Sequence, residues 1–117
     1  MTEVALPYPP SVNNYWRHVG PRVLISRQGR AFRERVRSVL ALAGVKPLDG
    51  PLRVVIELHP PDNRRRDVDN AMKALLDALE HGGAYRDDSQ IVKLEVEKCD
   101  MAVGGRTVVK IEEVRRC

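Results

Sequence analysis

The amino-acid sequence predicts an α+β fold, in which a small mixed β-sheet carries two main helices packed on one face. Two stretches repeat their apolar residues at the spacing of a helix, and several shorter stretches alternate apolar and polar residues as half-buried strands do. Strands and helices alternate at first, and the chain ends in a hairpin. With 117 residues and no long linker, we expect one domain spanning residues 1–117.

The segment before the first long helix combines a strand, a turn and a hairpin. Residues 3–6 are an apolar stretch that predicts a first strand, and a proline cluster ends it. Residues 10–14 have the composition of a turn, and residues 15–25 predict an irregular hairpin. A first helix is predicted from Ser26 to Ala43, because the glycine that follows is a typical helix C-terminal stop.

This first helix has an apolar side and a basic side. The apolar stripe consists of Phe32, Val36, Val39, Leu40 and Ala43. The other side carries Arg27, Arg30, Arg33 and Arg37. A charged stripe is often only a solvated face, but a face of nearly one sign also suits the phosphate backbone of a nucleic acid.

The second half of the chain predicts three strands and one helix. Residues 54–59 alternate as a half-buried strand, which two prolines end. A second helix spans about Val68 to His81 and is closed by a glycine pair. Residues 92–97 alternate again as a strand, and a glycine turn leads into a last strand from Thr107 to Val114.

Composition favours a nucleic acid as the partner. The formal net charge is +4, and 15 of the 20 basic residues are arginines, whose planar fork suits bidentate contacts to phosphate. No apolar run reaches the ~18 residues of a membrane span, and no signal-peptide pattern begins the chain. We therefore expect a cytoplasmic protein without a membrane partner. Cys99 and Cys117 match no metal-ligand spacing, and we interpret both as bystanders.

Two aspartates and a lysine begin the second helix. Asp67 and Asp69 flank the core-facing Val68, and in a continuous helix their side chains would point about 200° apart. They converge only if Asp67 lies outside the helix. Lys73 follows Asp69 by one turn on the same face. In a purely structural interpretation, Asp67 is the N-cap of the helix, and Asp69 is stabilised by the helix dipole and pairs with Lys73.

A second acidic pair, Asp87-Asp88, follows the glycine-rich loop after this helix. The helix carries the chain about 20 Å from Asp69, so the loop must return before Asp88 can approach the first pair. Crowded carboxylates repel one another unless a cation neutralises them, and Mg²⁺ takes such oxygen ligands. The pattern predicts metal-assisted phosphodiester hydrolysis, with Lys73 stabilising charge at the phosphate. His59, near these residues in sequence, is interpreted as structural or phosphate-contacting rather than as a ligand.

These residues resemble a known family signature. The run Arg64-Arg-Arg-Asp67-Val-Asp69-Asn70-Ala-Met-Lys73-Ala, then Asp77-Ala-Leu and Asp87-Asp88, is similar to the signature of the RusA family of Holliday junction resolvases. The opening Leu6-Pro-Tyr-Pro-Pro-Ser11, the pair Asn13-Asn14, the residues from Tyr15 to His18 and the lead-in Ser26…Gly29 are similar too. The resemblance covers nearly the whole chain.

The resemblance implies a homodimeric DNA endonuclease, common in prophages, that resolves four-way junctions by paired symmetric nicks in recombination and repair. It implies Mg²⁺ as the cofactor, with Mn²⁺ as an alternative ion. Its metal-binding aspartates fall on Asp67, Asp69 and Asp88, and its essential lysine falls on Lys73. The role of Asp87 and Asn70 stays open. The residues expected to bind DNA are Arg27, Arg30, Arg37, Arg64, Arg65 and Arg66.

A dimer has some support from the residues themselves, because the segment from Tyr15 to Ile25 offers apolar surface with no evident partner in the chain.

Besides a Holliday junction resolvase, three other functions stay open at this point. The same metal site could serve a flap nuclease or a general structure-specific nuclease, and the basic faces could belong to a catalytically silent DNA-binding protein. The third is a basic structural domain with capped helices.

Overall fold

The computed structural model describes residues 1–115. In chain order its elements are β1 (Thr2–Leu6), α1 (Val12–Tyr15), β2 (Trp16–Val19), β3 (Arg22–Ile25), α2 (Arg27–Leu42), β4 (Leu52–His59), α3 (Asp69–His81), β5 (Ile91–Lys98) and β6 (Arg106–Glu113). A short 3-10 helix, Asp88–Gln90, leads into β5. Both long helices and all predicted strands are present, with ends that differ from the predicted ones by one or two residues.

The main sheet has the strand order β1-β6-β4-β5. Strands β4 and β5 are parallel, whereas the other neighbours are antiparallel, so the sheet is mixed as predicted. A parallel pair needs a long crossover, and α3 supplies it. Helix α3 therefore begins shortly after the C-terminal end of β4, the end at which α/β sheets commonly place their sites. Strands β2 and β3 form a separate hairpin.

The core lies between one face of this sheet and the helices. In β4 every second residue is buried, namely Leu52, Val54, Ile56 and Leu58. Helix α2 contributes Phe32, Val36 and Leu40, and α3 contributes Ala71, Ala74, Leu75, Ala78 and Leu79. The opposite face of the sheet carries charges, such as Arg53 paired with Glu95 at 3.0 Å and with Glu112 at 2.8 Å. This arrangement confirms the prediction of helices on one face.

Three sequence-based expectations need correction. Residues 12–15 form the short helix α1, although their composition predicts only a turn. Tyr15, expected in an exposed hairpin, is fully buried in the core. Ala43, expected on the apolar stripe of the first helix, is exposed beyond its end. Helix α1 could not be predicted from the sequence, because four residues are too few to show a helical period.

The start of α2 explains two residues of the family-like pattern. The Ser26 hydroxyl accepts the Gly29 backbone N–H at 2.9 Å, which caps the helix. A Cβ atom on Gly29 would lie 2.4 Å from the Tyr15 carbonyl oxygen, so only glycine permits this packing of α2 against α1.

No helix in the described part of the chain has the length and apolarity to cross a membrane. Cys117 lies outside the described residues, whereas Cys99 is half-buried as a free thiol.

Candidate active site

A cavity of about 610 Å³ opens beside the N-terminal end of α3. One wall comes from the proline-rich segment after β1 and from α1, through Tyr8, Pro9, Pro10, Ser11 and Asn14. The other wall consists of Arg64, Arg65, Arg66, Asp67, Asn70 and Ala71. The arginine run and the first predicted metal ligand therefore share one cleft.

Arg66 is held in place within this cleft by three neighbours. Its Nη1 atom donates to Asp62 Oδ1 at 2.7 Å, and its guanidinium lies over the Tyr8 ring, 5.7 Å from the centroid. Lys98 Nζ donates to the Arg66 carbonyl oxygen at 2.8 Å. The hydrogen bond from Arg66 is the main reason why the pKa of Asp62 is lowered to about 2. The loop before α3 is thus pinned by charge-assisted contacts.

Asp67, Asp69 and Lys73 are exposed, and they take no part in ion pairs within the part of the chain that the structure describes. Asp67 lies outside α3, as convergence with Asp69 requires, and Val68 occupies the cap position without any side-chain cap. Within residues 1–115 no ion pair joins Asp69 to Lys73, and neither aspartate pairs with another cation. The cap and the i,i+4 pair of the purely structural interpretation are therefore both absent from the described chain.

The two residues of the Asp87-Asp88 pair have different surroundings. Asp87 caps the short 3-10 helix, because its side chain accepts the Ser89 backbone N–H at 2.8 Å. That hydrogen bond lowers the pKa of Asp87. The Asp88 carboxylate is exposed, and the Asp88 backbone N–H donates to Glu80 Oε1 at 2.7 Å. Asp87 has a structural task, whereas the Asp88 carboxylate is available.

The structure does not gather all three predicted metal ligands into one cluster. The ligand oxygens of Asp88, Asp87 and Glu80 lie within 4.8 Å of one another, and no such group within residues 1–115 includes Asp67 or Asp69. Glu80 lies about 16 Å along the α3 axis from Asp69, at 1.5 Å per residue. The donors of Glu80, Asp87 and Asp88 are carboxylate oxygens without a cation partner among the described residues, and Mg²⁺ takes this ligand type, so the donor chemistry fits this ion.

Asp77, also part of the family-like run, serves packing instead. Its Oδ2 atom accepts two hydrogen bonds from Arg33, at 2.9 Å from Nε and 2.7 Å from Nη2, and it also accepts the Tyr15 hydroxyl. Burial and the hydrogen bond to Asp77 raise the pKa of Tyr15 well above its usual range. This group ties α1, α2 and α3 together. Arg33, assigned by sequence to the basic side of its helix, is therefore half-buried and engaged.

The remaining arginines fall into two exposed groups. On α2, Arg27, Arg30 and Arg37 are exposed; Arg30 donates to the Ile25 carbonyl oxygen at 3.2 Å, and Arg37 lies 3.6 Å from the carboxylate of Glu34. Beside the cavity, Arg64 and Arg65 are exposed as well, and Arg64 lies 3.7 Å from Asp62. Contacts this long between exposed groups hold a side chain only weakly, so both groups remain accessible.

Sequence reasoning gave no role to Tyr8 and Asp62, which position Arg66. Proline spacing around Tyr8 pointed only to the end of a strand. An aspartate four residues before an arginine predicts pairing only inside a helix, and residues 62–66 form none. Their contribution depends on the path of the loop, which the sequence pattern does not encode.

Comparisons with known proteins agree with one another. The model of the family described as "Endodeoxyribonuclease RusA" matches residues 7–112. A Shigella sonnei protein named "Crossover junction endodeoxyribonuclease RusA" is 42% identical over 95% of this chain and 93% of its own length. The Escherichia coli K12 protein of that name is 41% identical over the same shares, and the one from Enterobacteria phage HK97 is 38% identical over 96% and 94%. This chain belongs to the RusA family.

Proposed function

We propose that this protein is a Mg²⁺-dependent endonuclease that resolves Holliday junctions by paired nicks. One observation carries the proposal: Asp67 lines an arginine-rich cavity, and within residues 1–115 Asp67, Asp69 and Lys73 are exposed and lack the ion pairs and side-chain cap that would otherwise explain them. The names of the family relatives, crossover junction endodeoxyribonucleases, give the substrate class.

The proposed roles follow from the charges of these groups. Asp67 and Asp69 at one end of α3, and Asp88 beside Glu80 towards the other end, are the residues that would hold Mg²⁺, or Mn²⁺ in its place, and a bound ion of this kind polarises the phosphate and activates water. Lys73 lies one helical turn after Asp69 and supplies a positive charge for the phosphate in the transition state. Arg64 and Arg65 bind the flanking phosphates, while the guanidinium of Arg66 is oriented by its contacts with Asp62 and Tyr8.

The Asp87-Asp88 pair offers a matched test of the metal assignment. Asp88→Asn removes an available carboxylate, so we expect Mg²⁺ affinity, measured by isothermal titration calorimetry, to fall at least tenfold. Asp87→Asn keeps an oxygen that can accept the Ser89 N–H, so its loss of Mg²⁺ affinity should be clearly smaller than that of Asp88→Asn. Equal losses in both variants would show that the loop's fold, and not Asp88 as a ligand, determines metal binding.

We further propose a C2 dimer as the working unit, because resolution needs two nicks at symmetry-related positions and an isologous pair supplies two equivalent sites. The hairpin still offers Val19 and Val23 as exposed apolar residues, at 45% and 55% exposure, although Tyr15 belongs to the core. Sedimentation should give twice the 13.2 kDa chain mass. Mixed dimers of wild-type and Asp69→Asn chains should nick one strand and fail to resolve the junction.

The direct test of function compares a four-way junction with a linear duplex and a flap substrate. We expect cleavage of the junction alone, at two symmetric positions, with Mg²⁺ present and none in a chelator. Equal cutting of flap or duplex would replace the resolvase by a less selective nuclease. Junction binding without cutting at any divalent ion would point to a silent DNA-binding protein.

A further inference from the structure

A second group of metal-binding residue types lies where β4 and β5 end side by side. Glu57 and His59 are two residues apart on β4, so both side chains lie on the face of the sheet opposite the helices. Cys99 directly follows β5, and its backbone N–H donates to the Leu58 carbonyl oxygen at 2.8 Å. Potential ligand atoms of Glu57, His59 and Cys99 lie within 4.8 Å of one another.

The imidazole of His59 is oriented as a metal ligand would be. Its Nδ1 atom lies 2.9 Å from the Asp100 carbonyl oxygen, which can only accept, so Nδ1 carries the proton of this contact. Nε2 is then left with a free lone pair. It is buried, and within residues 1–115 it has no hydrogen-bond partner. Glu57 Oε1 lies 3.6 Å away, beyond hydrogen-bond distance.

We propose that Glu57, His59 and Cys99 form a Zn²⁺ site, distinct from the proposed Mg²⁺ site and independent of the proposed nuclease function. Thiolate and imidazole ligands select zinc over magnesium. A hydrogen bond from the second imidazole nitrogen to a carbonyl group is the usual support of a ligating histidine. The 3.6 Å separation of Glu57 Oε1 and His59 Nε2 is close to the roughly 3.4 Å expected between two ligands of a tetrahedral zinc ion.

Access and charge also suit a cation here. The thiol side of the site adjoins a cavity of about 310 Å³, whose lining includes Lys98, Cys99, Asp100 and Arg66. The negative charges of Glu57, Glu97 and Asp100 act on Cys99 and favour a cation at its sulfur, although Arg64, Arg66 and Lys98 also line the cavity. Three protein ligands leave the fourth position of a tetrahedral ion to water.

The site lies next to the loop that carries the arginine run. Both strand ends lead directly into loops, and the loop after β4 carries the arginine run of the candidate active site. Lys98, the last residue of β5, already binds the Arg66 carbonyl oxygen at 2.8 Å. A zinc ion would join the two strand ends and fix the base of the arginine loop.

Cobalt(II) is the probe that separates this site from the carboxylates of the active site, because only a thiolate ligand gives a near-ultraviolet charge-transfer band. Titration of the full-length protein should give this band at one equivalent. Cys99→Ser should abolish it, and His59→Gln should weaken cobalt affinity at least tenfold. Cys117→Ser is the matched control and should keep the band, as should Asp69→Asn. A band that survives Cys99→Ser, or disappears with Cys117→Ser, would overturn the proposal.

Zinc-dependent stability tests the same site without cobalt. Saturating Zn²⁺ should raise the unfolding temperature of the wild type and of Asp69→Asn, since a ligand that binds only the folded state stabilises it. Cys99→Ser should unfold at the temperature of the zinc-free wild type, with or without Zn²⁺. A zinc-dependent rise of equal size in Cys99→Ser would assign the binding to other residues and refute the site.

Discussion

Helix α3 carries two aspartates, Asp69 and Asp77, eight residues apart, with opposite surroundings. Asp77 accepts hydrogen bonds from Arg33 and Tyr15 and joins three helices. Asp69 is exposed, and the described chain offers it no cation. The same side chain on the same helix thus serves packing at one position and is left free at the other. Carboxylates that a fold leaves unpaired beside a cavity are candidates for a metal and substrate role.

The largest effect expected from this comparison is the loss of cleavage in Asp69→Asn. Removing a proposed metal-ligand charge should lower the cleavage rate by about a thousandfold or more, or roughly 4 kcal/mol of transition-state stabilisation. Single-turnover cleavage of a four-way junction measures this rate. Stability should stay within about 0.5 kcal/mol of the wild type, because exposed positions without partners contribute little.

Junction binding by Asp69→Asn should be retained or tightened, because the basic faces stay intact and a negative charge near the phosphates is removed. Electrophoretic mobility shift in a chelator measures it. A variant that loses binding and folding together would make Asp69 a structural residue like Asp77, and the comparison would fail.

The same substitution at Asp77 should have the second-largest effect, and it should reduce stability and leave cleavage nearly unchanged. Asp77→Asn leaves the half-buried Arg33 guanidinium without its counter-charge, so the free energy of unfolding should fall by about 2 kcal/mol. Urea denaturation measures it. At a temperature where the variant is fully folded, its single-turnover rate should stay within threefold of the wild type. A loss of cleavage as large as that of Asp69→Asn, in a folded variant, would give Asp77 a direct role in the reaction.

The difference between Asp69 and Asp77 also marks the limit of sequence reasoning. Helices α2 and α3 and strand β4 could be predicted because their apolar periods are long and regular. The position of Asp67 outside α3 could be deduced from the core-facing Val68. The pairing of Arg33 with Asp77 could not, because it joins residues 44 positions apart through the packing of two helices. The capping Asp87 is a different case, because Asp87 and Gln90 have the spacing of a capping box, a local signal that sequence reasoning missed.

A smaller loss is expected from Lys73→Ala. Lys73 is exposed and is not paired with Asp69, so its proposed role is to stabilise transition-state charge and not to support the helix. We expect the turnover rate to fall at least tenfold, about 1.4 kcal/mol, with Mg²⁺ affinity nearly unchanged. Lys93→Ala, which removes an exposed lysine from β5, is the matched control and should cut at the wild-type rate. Normal turnover in Lys73→Ala would leave this lysine without a catalytic role.

The smallest effect separates the two groups of exposed arginines. Each phosphate contact contributes roughly 0.9 to the slope of log K against log salt on B-DNA. Arg64→Ala with Arg65→Ala should therefore flatten the slope of junction binding by about two contacts, because both side chains line the cavity beside Asp67.

Arg30→Glu with Arg37→Glu tests the α2 face in the same way. Arg33 should not contribute, because Asp77 already holds its guanidinium. Fluorescence anisotropy from low to high salt measures these slopes. If the α2 pair leaves the slope unchanged while the cavity pair flattens it, the helix face is only solvated and DNA contacts the α3 end alone. If neither pair changes it, these four arginines do not bind phosphate, and the basic cleft loses its proposed function.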